Sequence, residues 1–466
     1  MIRSTPLPPI PAIAAFIAGG IVLSTVAVAA VRTTSVSTAK PMRLSELGHR
    51  VLVIAPHPDD EILATGGTIR RLVAEGADVK VVVVTAGDSY RRAAARISGG
   101  PAVAASYLEL GNIRHQECLT AARHLGLAED HVVALGFADG TTLAMWDRNW
   151  DASHPAEGRN GATQVPYAWA ADPGTALCGD DLVTRLESII REFAPDTVIT
   201  PDVHETHPDH STVAAFATYA MDAEGFAGRR LSTVVHFRHY PYPWAHLPGS
   251  ALNPPPQLVG DGTEWLALPL SQVDEEAKAA AIADYRSQTA IADLGLYMRA
   301  FVRTNELFAQ RPPATLAVLS TDDRPGRADA TTVSVTPQPV VPSGANTLRP
   351  RIAGILMVRG PHVVWVGLRC DRRVTADGAF RLGLRLFGDG APGRLDVSVH
   401  DTTATVLRLA ANSIVPDGVR AEADGDTVWV SIPASALAGR TRCMIGAMAG
   451  REGGSPMRTA WREVDL

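Results

Sequence analysis

The feature that most constrains the fold of this chain is a hydrophobic strand–helix–strand pattern. Residues 51–55 (VLVIA) and 79–85 (VKVVVVT) are short runs dominated by Val, Ile and Leu, which is typical of strands buried on both faces. Between them, residues 61–75 carry apolar side chains at helical spacing, and Gly76 is suited to end that helix. A strand, a helix and a second strand in such a short segment form a right-handed crossover between parallel strands. The segment therefore predicts an α/β fold.

The same alternation continues towards residue 310. We predict a helix over 114–125, a strand over 131–135, a helix that starts near Asp181 and a strand over 197–200 (TVIT). This pattern favours an open, mainly parallel sheet covered by helices, and such sheets bind ligands beyond the carboxyl ends of their strands. The glycines at 66–67 do not form a GxGxxG fingerprint, so nucleotide binding is not expected there.

The periodicity changes near residue 351. Six short strand patterns follow, separated by turn residues and without a long helical pattern: 352–358, 362–368, 380–387, 394–400, 404–409 and 427–432. We therefore predict an α/β domain over 46–310, a Pro-, Thr- and Asp-rich linker over 311–350, and an all-β sandwich over 351–466.

The first 45 residues predict export. No charged residue lies between Arg3 and Arg32, and residues 10–31 are mostly Ala, Ile, Val, Gly and Leu. The sequence Ala-Val-Ala at 27–29 suits cleavage of a signal peptide, whereas the length of the apolar run equally suits a single membrane anchor. We expect residues 1–45 to be a signal peptide or N-terminal membrane anchor with a linker, and the protein to be secreted or otherwise extracytoplasmic.

Charge and cysteine content exclude other classes. The net charge is -6, from 43 Lys and Arg against 49 Asp and Glu, which disfavours a nucleic-acid partner. The four cysteines form no CxxC pair, so a metal site would have to use His and carboxylates. An oxidising compartment would permit a disulfide between Cys370 and Cys443.

Two polar segments directly follow predicted strands. Residues 56–61 (PHPDDE) follow the first strand, and residues 204–210 (HETHPDH) follow the TVIT strand. Both therefore lie at the ligand-binding edge of the predicted sheet. Imidazole and carboxylate groups are good ligands for zinc. His57, Asp60 and His210 would form a three-ligand set with one open position, as in catalytic zinc sites.

Two neighbours of this set are suited to proton transfer. Asp59 need not bind the metal, and a free carboxylate beside an activated water is a natural general base. His207 is suited to donate to a developing oxyanion or to a leaving nitrogen. Either motif alone is better explained as a turn, because Asp and Pro are turn residues. Two such clusters at one edge of one sheet favour a metal site instead.

Further short sequences accompany these clusters. They are GGT at 66–68, TAGD at 85–88, RHQE at 114–117, FADG at 137–140, and Lys278 followed by YRSQ at 285–288. With PHPDDE and HPDH, they make the chain resemble the PIG-L/LmbE-like family of zinc-dependent N-acetylglucosaminyl deacetylases. The resemblance covers about 260 of the 466 residues and implies a Rossmann-like, mainly parallel sheet.

The resemblance also implies roles for single residues. They are zinc ligation by His57, Asp60 and His210, general-base action by Asp59, stabilisation of the tetrahedral intermediate by His207, and sugar contact by Arg114 and Asp139. One position departs from part of the family, because Glu205 stands where some relatives have a tyrosine that donates a proton or a hydrogen bond. His207 is therefore the first candidate to protonate the leaving amine.

The predicted activity is metal-dependent removal of an N-acetyl group from an N-acetylglucosamine-containing or related amide. Zn²⁺ is the expected cofactor, and Fe²⁺ also suits such ligands. One alternative is a family amidase that acts on a larger acyl group or a thiol conjugate. The other is a non-catalytic glycan-binding surface protein. The C-terminal domain, with its tryptophans, is equally suited to contact cell-wall glycan and to pack against the α/β domain.

Overall fold

A computed structural model of the chain describes residues 39–260, 262–335, 350–374, 378–450 and 457–466. The predicted signal or anchor falls on residues 1–38, which lie outside the described residues. Across the ranges that the structure describes, none of the helices combines the length and the apolar character needed to cross a membrane.

The α/β part is built on an eight-stranded mixed sheet. Its strands are β1 (Lys40–Pro41), β2 (Arg50–Ala55), β3 (Asp78–Thr85), β4 (Val132–Phe137), β5 (Thr197–Pro201), β6 (Arg229–Thr233), β7 (Glu264–Pro269) and β8 (Asn305–Gln310). They lie in the order β1-β7-β8-β6-β5-β2-β3-β4. Strands β4, β3, β2, β5 and β6 pair with one another in parallel, whereas β8 is antiparallel to both β6 and β7. The α/β class is confirmed, and the sheet is mixed because of β8.

Helices connect these strands. They are α1 (Asp60–Ala74), α2 (Arg91–Ser98), α3 (Ala104–His124), α4 (Thr142–Asp147), α5 (Gly179–Phe193), α6 (Pro208–Ala223), α7 (Gln272–Asp284), α8 (Arg286–Thr289) and α9 (Ala292–Arg299), with short 3₁₀ turns at Leu44–Leu47, Glu129–His131 and Pro256–Leu258. Helix α3 begins well before the predicted residue 114. The hydroxyl of Ser106 accepts a hydrogen bond from the N–H of Val103 at 2.9 Å and so satisfies a donor at the true start of this helix.

Strand β2 shows why the hydrophobic run was informative. Its successive side chains point to opposite faces, so Val51 and Val53 belong to one hydrophobic core and Leu52 and Ile54 to another. All four side chains are buried. A strand covered on both faces must be apolar at every position, which explains the unbroken VLVIA sequence.

The order of the strands fixes the location of a binding site. Strand β2 lies between β3 and β5, so the chain moves from β2 towards β4 on one side and later returns to β5 on the other. The crevice between the carboxyl ends of β2 and β5 is therefore a topological switch point, where open α/β sheets bind ligands. The two His/Asp clusters directly follow these two strands.

The C-terminal region contains two further sheets. Its strands are β9 (Ala314–Thr315), β10 (Ala317–Val318), β11 (Thr331–Val335), β12 (Ile352–Arg359), β13 (Val363–Cys370), β14 (Ala379–Gly388), β15 (Gly393–His400), β16 (Thr403–Leu407), β17 (Arg420–Asp424), β18 (Thr427–Pro433), β19 (Arg440–Ala449), β20 (Met457–Arg458) and β21 (Arg462–Asp465), with 3₁₀ turns at Arg327–Asp329 and Ala434–Leu437. One sheet has the order β10-β12-β13-β18-β17 with β11 beside β12. The other has the order β16-β15-β14-β19-β21-β9 with β20 beside β19.

Part of the segment predicted as a linker belongs to these sheets. Strand β11 pairs antiparallel with β12, and β10 pairs with the same strand in parallel. Strand β9 pairs with β21 at the far end of the chain. Residues 314–335 therefore supply edge strands, which the high Pro, Thr and Asp content of the sequence concealed. Residues 336–349 lie outside the described residues.

The C-terminal region packs directly on the α/β part. Phe387 and Met444 share a hydrophobic core with Trp146 and Tyr219. The ring centroids of Tyr219 and Phe387 lie 5.0 Å apart in a T-shaped contact. All four cysteines are buried free thiols, so the disulfide that an oxidising compartment would have permitted is not formed.

Candidate functional site

Three predicted ligands meet at the switch point. His57 Nδ1 lies 3.0 Å from Asp60 Oδ2, and His210 Nε2 lies 3.1 Å from that same oxygen. The two ring nitrogens are 3.2 Å apart. A tetrahedral zinc ion with bonds of about 2.0–2.1 Å holds its ligand atoms about 3.3 Å from one another. The donor atoms therefore fit such an ion after shifts of a few tenths of an ångström.

Carboxylates orient His57 from the opposite side of its ring. Asp209 Oδ2 lies 3.3 Å and Asp139 Oδ1 lies 3.4 Å from His57 Nε2. Asp209 is itself fixed, since its carboxylate accepts hydrogen bonds from the Gly140 N–H at 2.6 Å and the Thr142 hydroxyl at 2.5 Å. A proton held on Nε2 leaves the Nδ1 lone pair free for a metal, which is the usual function of such a carboxylate.

Glu205 lies behind the ring of His210, at a distance longer than a hydrogen bond. Its Oε1 lies 3.6 Å from His210 Nδ1 and accepts a hydrogen bond of 2.5 Å from the N–H of Val235, just after β6. The other carboxylate oxygen of Glu205 is buried without a hydrogen-bond partner among the described residues. Glu205 thus lies behind His210 rather than on the open side of the cluster, so it does not take the place of the tyrosine found in some relatives.

These contacts shift the pKa values of the ligands. Burial alone would raise the pKa of Asp60, but His210 and His57 hold it well below its usual value. Burial alone would lower the pKa of His210, but Asp60 and Glu205 raise it to about 9. The pKa of His57 is also raised, because nearby carboxylates outweigh its burial. A divalent cation would displace these protons, so metal binding here releases protons.

Asp59 lies beside the cluster in a strained backbone conformation. Its φ of 122° lies in the region that favours glycine, and such strain costs about 1–3 kcal/mol. The N–H of Asp59 donates to Glu61 Oε2 at 3.0 Å, and its carboxylate lies 2.9 Å from Arg114 Nη2. Burial raises the pKa of Asp59 to about 7, with Asp60 and Glu61 adding to the effect and Arg114 opposing it.

Arg114 holds the loop that carries Asp59. Its guanidinium donates to the carbonyl oxygens of Gly87, at 2.8 Å, and of Pro58. Its Nε is buried without a hydrogen-bond partner among the described residues. Asp139, the other predicted sugar contact, accepts a hydrogen bond of 3.0 Å from the Ser89 N–H and faces His57. Contact of these two residues with a sugar stays a prediction.

His207 lies beside the rings of His57 and His210. Its ring lies 4.9 Å from that of His57 and 5.1 Å from that of His210, centroid to centroid. Burial and the two neighbouring imidazoles lower its pKa to about 4. Its Nδ1 is buried without a hydrogen-bond partner among the described residues. Among the described residues, His207 and His210 thus each have a ring nitrogen without a hydrogen-bond partner, and His207 is the one outside the predicted ligand set.

His236 was not predicted as a site residue, because it follows β6 in a loop without a recognisable motif. Its ring lies 4.7 Å from that of His210 and stacks on Tyr297 at 5.5 Å. Single donor atoms of Asp60, His210 and His236 lie within 4.8 Å of one another, as do those of His57, His207 and His210. His236 and His207 thus adjoin the predicted ligand set. His207 belongs to a predicted motif, whereas His236 is brought there only by the fold and leaves no signal in sequence spacing.

A buried carboxylate holds the rim of the site. Asp88, after β3, accepts hydrogen bonds of 2.8 Å from both Asn160 and Tyr167 in the long connection between α4 and α5. It also accepts from the N–H of Asp139 at 2.9 Å. Burial, reinforced by the charge of Asp139, raises the pKa of Asp88 to about 6. Through Asp88, hydrogen bonds therefore link the connection between α4 and α5 to residues that follow β3 and β4.

The remaining motif residues support the site from within the protein. Tyr285 donates to the carboxylate of Glu61, which in turn binds the backbone of Asp59. Lys278 forms a fully buried ion pair of 2.7 Å with Glu306. Glu306 also accepts hydrogen bonds from the N–H groups of Gly67 and Thr68 within α1, at 2.9 and 2.7 Å. These residues position α1, which begins at the predicted ligand Asp60.

Comparison with known proteins finds a family match within the α/β part. Residues 52–221 match the family model described as "PIG-L: GlcNAc-PI de-N-acetylase", which confirms the resemblance seen in the sequence. A 1D-myo-inositol 2-acetamido-2-deoxy-alpha-D-glucopyranoside deacetylase of Rhodococcus jostii (strain RHA1) is 34% identical over 182 residues, covering 38% of this chain and 55% of the relative. The protein of the same name from Rhodococcus erythropolis (strain PR4 / NBRC 100887) is 35% identical over 182 residues, with 38% and 54% covered. The chain spans about half the length of these relatives.

Among solved structures, the zinc-inhibited form of the teicoplanin deacetylase Orf2 is similar to this chain. It is 20% identical, the match covers 56% of this chain and 97% of that chain, and the TM-score is 0.36.

Proposed function

We propose that this chain, which carries a PIG-L-family domain at residues 52–221, is a metal-dependent hydrolase that removes the N-acetyl group from an N-acetylglucosamine-containing or related amide. The observation that carries the proposal is the convergence of His57 Nδ1, Asp60 Oδ2 and His210 Nε2 within 3.2 Å of one another at the switch point of the sheet. The names of the curated relatives, which are deacetylases of a glucosamine-type sugar, agree with it.

His57, Asp60 and His210 would hold the metal, with Zn²⁺ as the first choice and Fe²⁺ as the second. Two imidazoles and one carboxylate leave a coordination position open, which suits a catalytic rather than a structural ion. Such an ion, when bound, polarises a carbonyl group and lowers the pKa of its water to about 7. The carboxylates behind both imidazoles support this assignment, because they fix the ring nitrogens in the ligating form.

Asp59 is the proposed general base. It accepts a proton from the attacking water, whose oxygen forms a bond to the acetyl carbon. The ion pair with Arg114 and the bond from its N–H to Glu61 fix the carboxylate beside the ligand set. Its strained φ angle supports a functional role, since strain of this kind tends to be retained at active sites.

His207 is the proposed hydrogen-bond donor to the acetyl oxygen as negative charge develops there, or it passes to the leaving nitrogen the proton that Asp59 took from the water. The C–N bond then breaks, and acetate and a free amine leave. Arg114 and Asp139 remain the proposed sugar contacts. The free Nε donor of Arg114 supports its assignment, because a substrate hydroxyl would supply the missing acceptor.

The proposal is tested by measuring acetate release from a panel of N-acetylated amino sugars, including glucosaminyl-inositol compounds, with zinc-loaded protein of known metal content. We expect about one equivalent of zinc and release of acetate together with a free amine. Zinc-loaded protein that releases a larger acid instead would favour an amidase of larger acyl groups or thiol conjugates. Glycan binding without amine release would favour a non-catalytic surface protein.

We also propose the domain organisation and location predicted from the sequence. The uncharged stretch between Arg3 and Arg32 supports a signal peptide or membrane anchor within residues 1–45. The two C-terminal sheets share one hydrophobic core, to which Val366 and Val430 contribute from one sheet and Leu384 and Ile445 from the other. This supports a β-sandwich over 351–466, to which residues 314–335 add edge strands. Terminal sequencing of the protein recovered from membrane, culture-medium and cytosolic fractions tests its export.

A further inference from the structure

A cavity lies between the α/β part and the C-terminal region. Its volume is about 60 Å³, and a single water needs about 10–15 Å³ measured this way. The side chains used below that line it are Trp146, Asp147, Arg381, Arg385, Arg458 and Trp461. The space is large enough for a few waters or one small oxyanion.

The charges around this cavity do not balance. Arg381, Arg385 and Arg394 all bind the carboxylate of Asp396, at 3.4, 3.4 and 2.6 Å. A fourth arginine, Arg458, lies with its Nη2 2.5 Å from Asp147 Oδ2. Within the described part of the chain, four guanidinium groups thus share two carboxylates.

Two of these arginines are almost fully buried. Arg385 is 1% exposed and Arg394 is 0% exposed. The guanidinium of Arg385 lies over the ring of Trp461 at 4.8 Å, and that of Arg394 lies over Trp150 at 5.0 Å. Aromatic faces attract such cations, but they do not neutralise the charge or accept the in-plane N–H groups.

Donors at the cavity also lack acceptors. Among the described residues, the Nε of Arg385 and the indole Nε1 of Trp146, which line the cavity, are buried without a hydrogen-bond partner. The same is true of the Nη1 of Arg394, which shares Asp396 with Arg385 but does not line the cavity. Buried polar groups are nearly always satisfied, so each orphaned donor indicates a missing acceptor. Burial and the charge of Arg394 lower the pKa of Arg385 to about 9, which reflects how poorly its charge is compensated.

We propose that this cavity is a binding site for a small oxyanion, with the chemistry of sulfate, phosphate or a carboxylate, held by Arg385 together with Arg381 and Trp146. An anion there supplies both the missing charge and the missing acceptors. It also joins the two parts of the chain, because Trp146 belongs to α4 whereas Arg381 and Arg385 belong to β14. Ser211 and Thr212 line the same cavity and directly follow the predicted ligand His210.

The experiment is a calorimetric titration of the full-length, metal-loaded protein with sodium sulfate at constant ionic strength, with sodium chloride as the balancing salt. We expect saturable binding of one sulfate and a saturable rise in Tm, since a ligand of the folded state stabilises it. Arg385→Met should weaken sulfate binding at least tenfold. Arg420→Met, which removes an exposed arginine on β17 in the other C-terminal sheet, should leave it unchanged.

Three results decide against the proposal. They are a Tm that rises with sulfate without saturation in all variants, equal sulfate affinity in Arg385→Met and Arg420→Met, and loss of sulfate binding in His210→Ala, which would locate the anion at the metal cluster. If Arg385→Met does not fold, the half-buried Arg381→Gln takes its place, with the same expected loss. Sulfate binding does not depend on acetate release, so this site and the proposed activity fail separately.

Discussion

Glu205 Oε1 lies 3.6 Å from Nδ1 of His210, on the side of the ring that faces away from Asp60. The carboxylate is held in place by the Val235 N–H. An imidazole whose remote nitrogen faces a carboxylate is fixed in orientation and is a more basic ligand. We therefore expect the position that departs from some relatives to act through His210, as a positioning residue, rather than on the substrate.

Glu205→Gln should therefore weaken metal binding rather than the chemical step. We expect a loss of about 10–100-fold in zinc affinity, with kcat restored towards the wild-type value at saturating zinc. Competition with a chromogenic chelator measures the affinity, and Glu422→Gln on the exposed strand β17 is the matched control. A variant with unchanged zinc affinity but a lower kcat at saturation would assign Glu205 to the reaction itself.

Asp59 and His210 should separate in the same assays. Asp59→Ala should lower acetate release by about 10²–10⁴-fold, the usual contribution of a general base, while the zinc content stays near that of the wild type. His210→Ala removes a ligand and should lower both. Metal analysis of the purified variants, alongside initial rates, checks the difference, and equal loss of zinc in the two variants would contradict the assigned roles.

The contact between the two His/Asp clusters was predictable for a topological reason. Each cluster follows a strand buried on both faces, and parallel strands at a switch point bring their carboxyl ends together. His57, Asp60 and His210 were therefore identifiable from motif and placement. The carboxylates behind their rings were not identifiable. The position of Glu205, for example, depends on the backbone N–H of Val235, which follows β6 and lies 30 residues further along the chain.

Other residues escaped prediction because their roles are set by packing. His236 has no motif and reaches the site only because β6 lies next to β5. Trp146 and Trp150 are 1% and 3% exposed and belong to the core. Arg114 is buried against the loop of Asp59, an ion pair that the sequence did not predict, and its contact with a sugar stays a prediction.

Asp88 should make stability depend on pH. Its pKa is raised to about 6 in the folded protein by burial and by Asp139, against about 3.9 for an unperturbed Asp. A raised pKa contributes stability that is complete below about pH 4 and is lost as the pH rises through 6. The stability of the wild type relative to Asp88→Asn should therefore fall by up to about 3 kcal/mol between pH 4 and pH 7.

Thermal unfolding of both proteins across this pH range measures the difference. The substitution also places an amide N–H₂ against the donors Asn160 and Tyr167, which lowers stability at every pH. The change with pH, not the offset, reports the titration. Parallel curves of Tm against pH for the two proteins would show that Asp88 does not titrate in this range.

The buried pair of Lys278 and Glu306 should act on stability rather than on chemistry. Both side chains are fully buried, and removing one partner of such a pair costs about 3–5 kcal/mol because the other charge is left uncompensated. Lys278→Met should therefore destabilise the protein strongly. In the double variant Lys278→Met/Glu306→Gln no buried charge remains, so part of the loss should be recovered.

Urea unfolding of the two single variants and the double variant gives the coupling between them. KM and kcat of the folded fraction should stay close to those of the wild type, since the pair reaches the site only through α1. Additive losses of stability in the double variant would contradict the pairing. A lower kcat or a higher KM in the folded fraction would instead indicate a direct contact with the substrate.

Three aromatic side chains in mutual contact extend from the predicted ligand set to the surface. The ring of His236 lies 4.7 Å from that of His210 and stacks on Tyr297, and Tyr297 meets Trp244 at 5.3 Å. Trp244 is 52% exposed, so its indole is accessible to a sugar ring next to the acetylated one. Trp244→Ala should raise KM for an oligosaccharide or glycoconjugate about 3- to 10-fold and leave kcat unchanged, because stacking of this kind contributes about 0.5–1.5 kcal/mol. Tyr242→Ala, in the same loop and 84% exposed, is the control. The same KM in both variants, or an effect that persists with a free monosaccharide, would show that Trp244 does not contact the second ring.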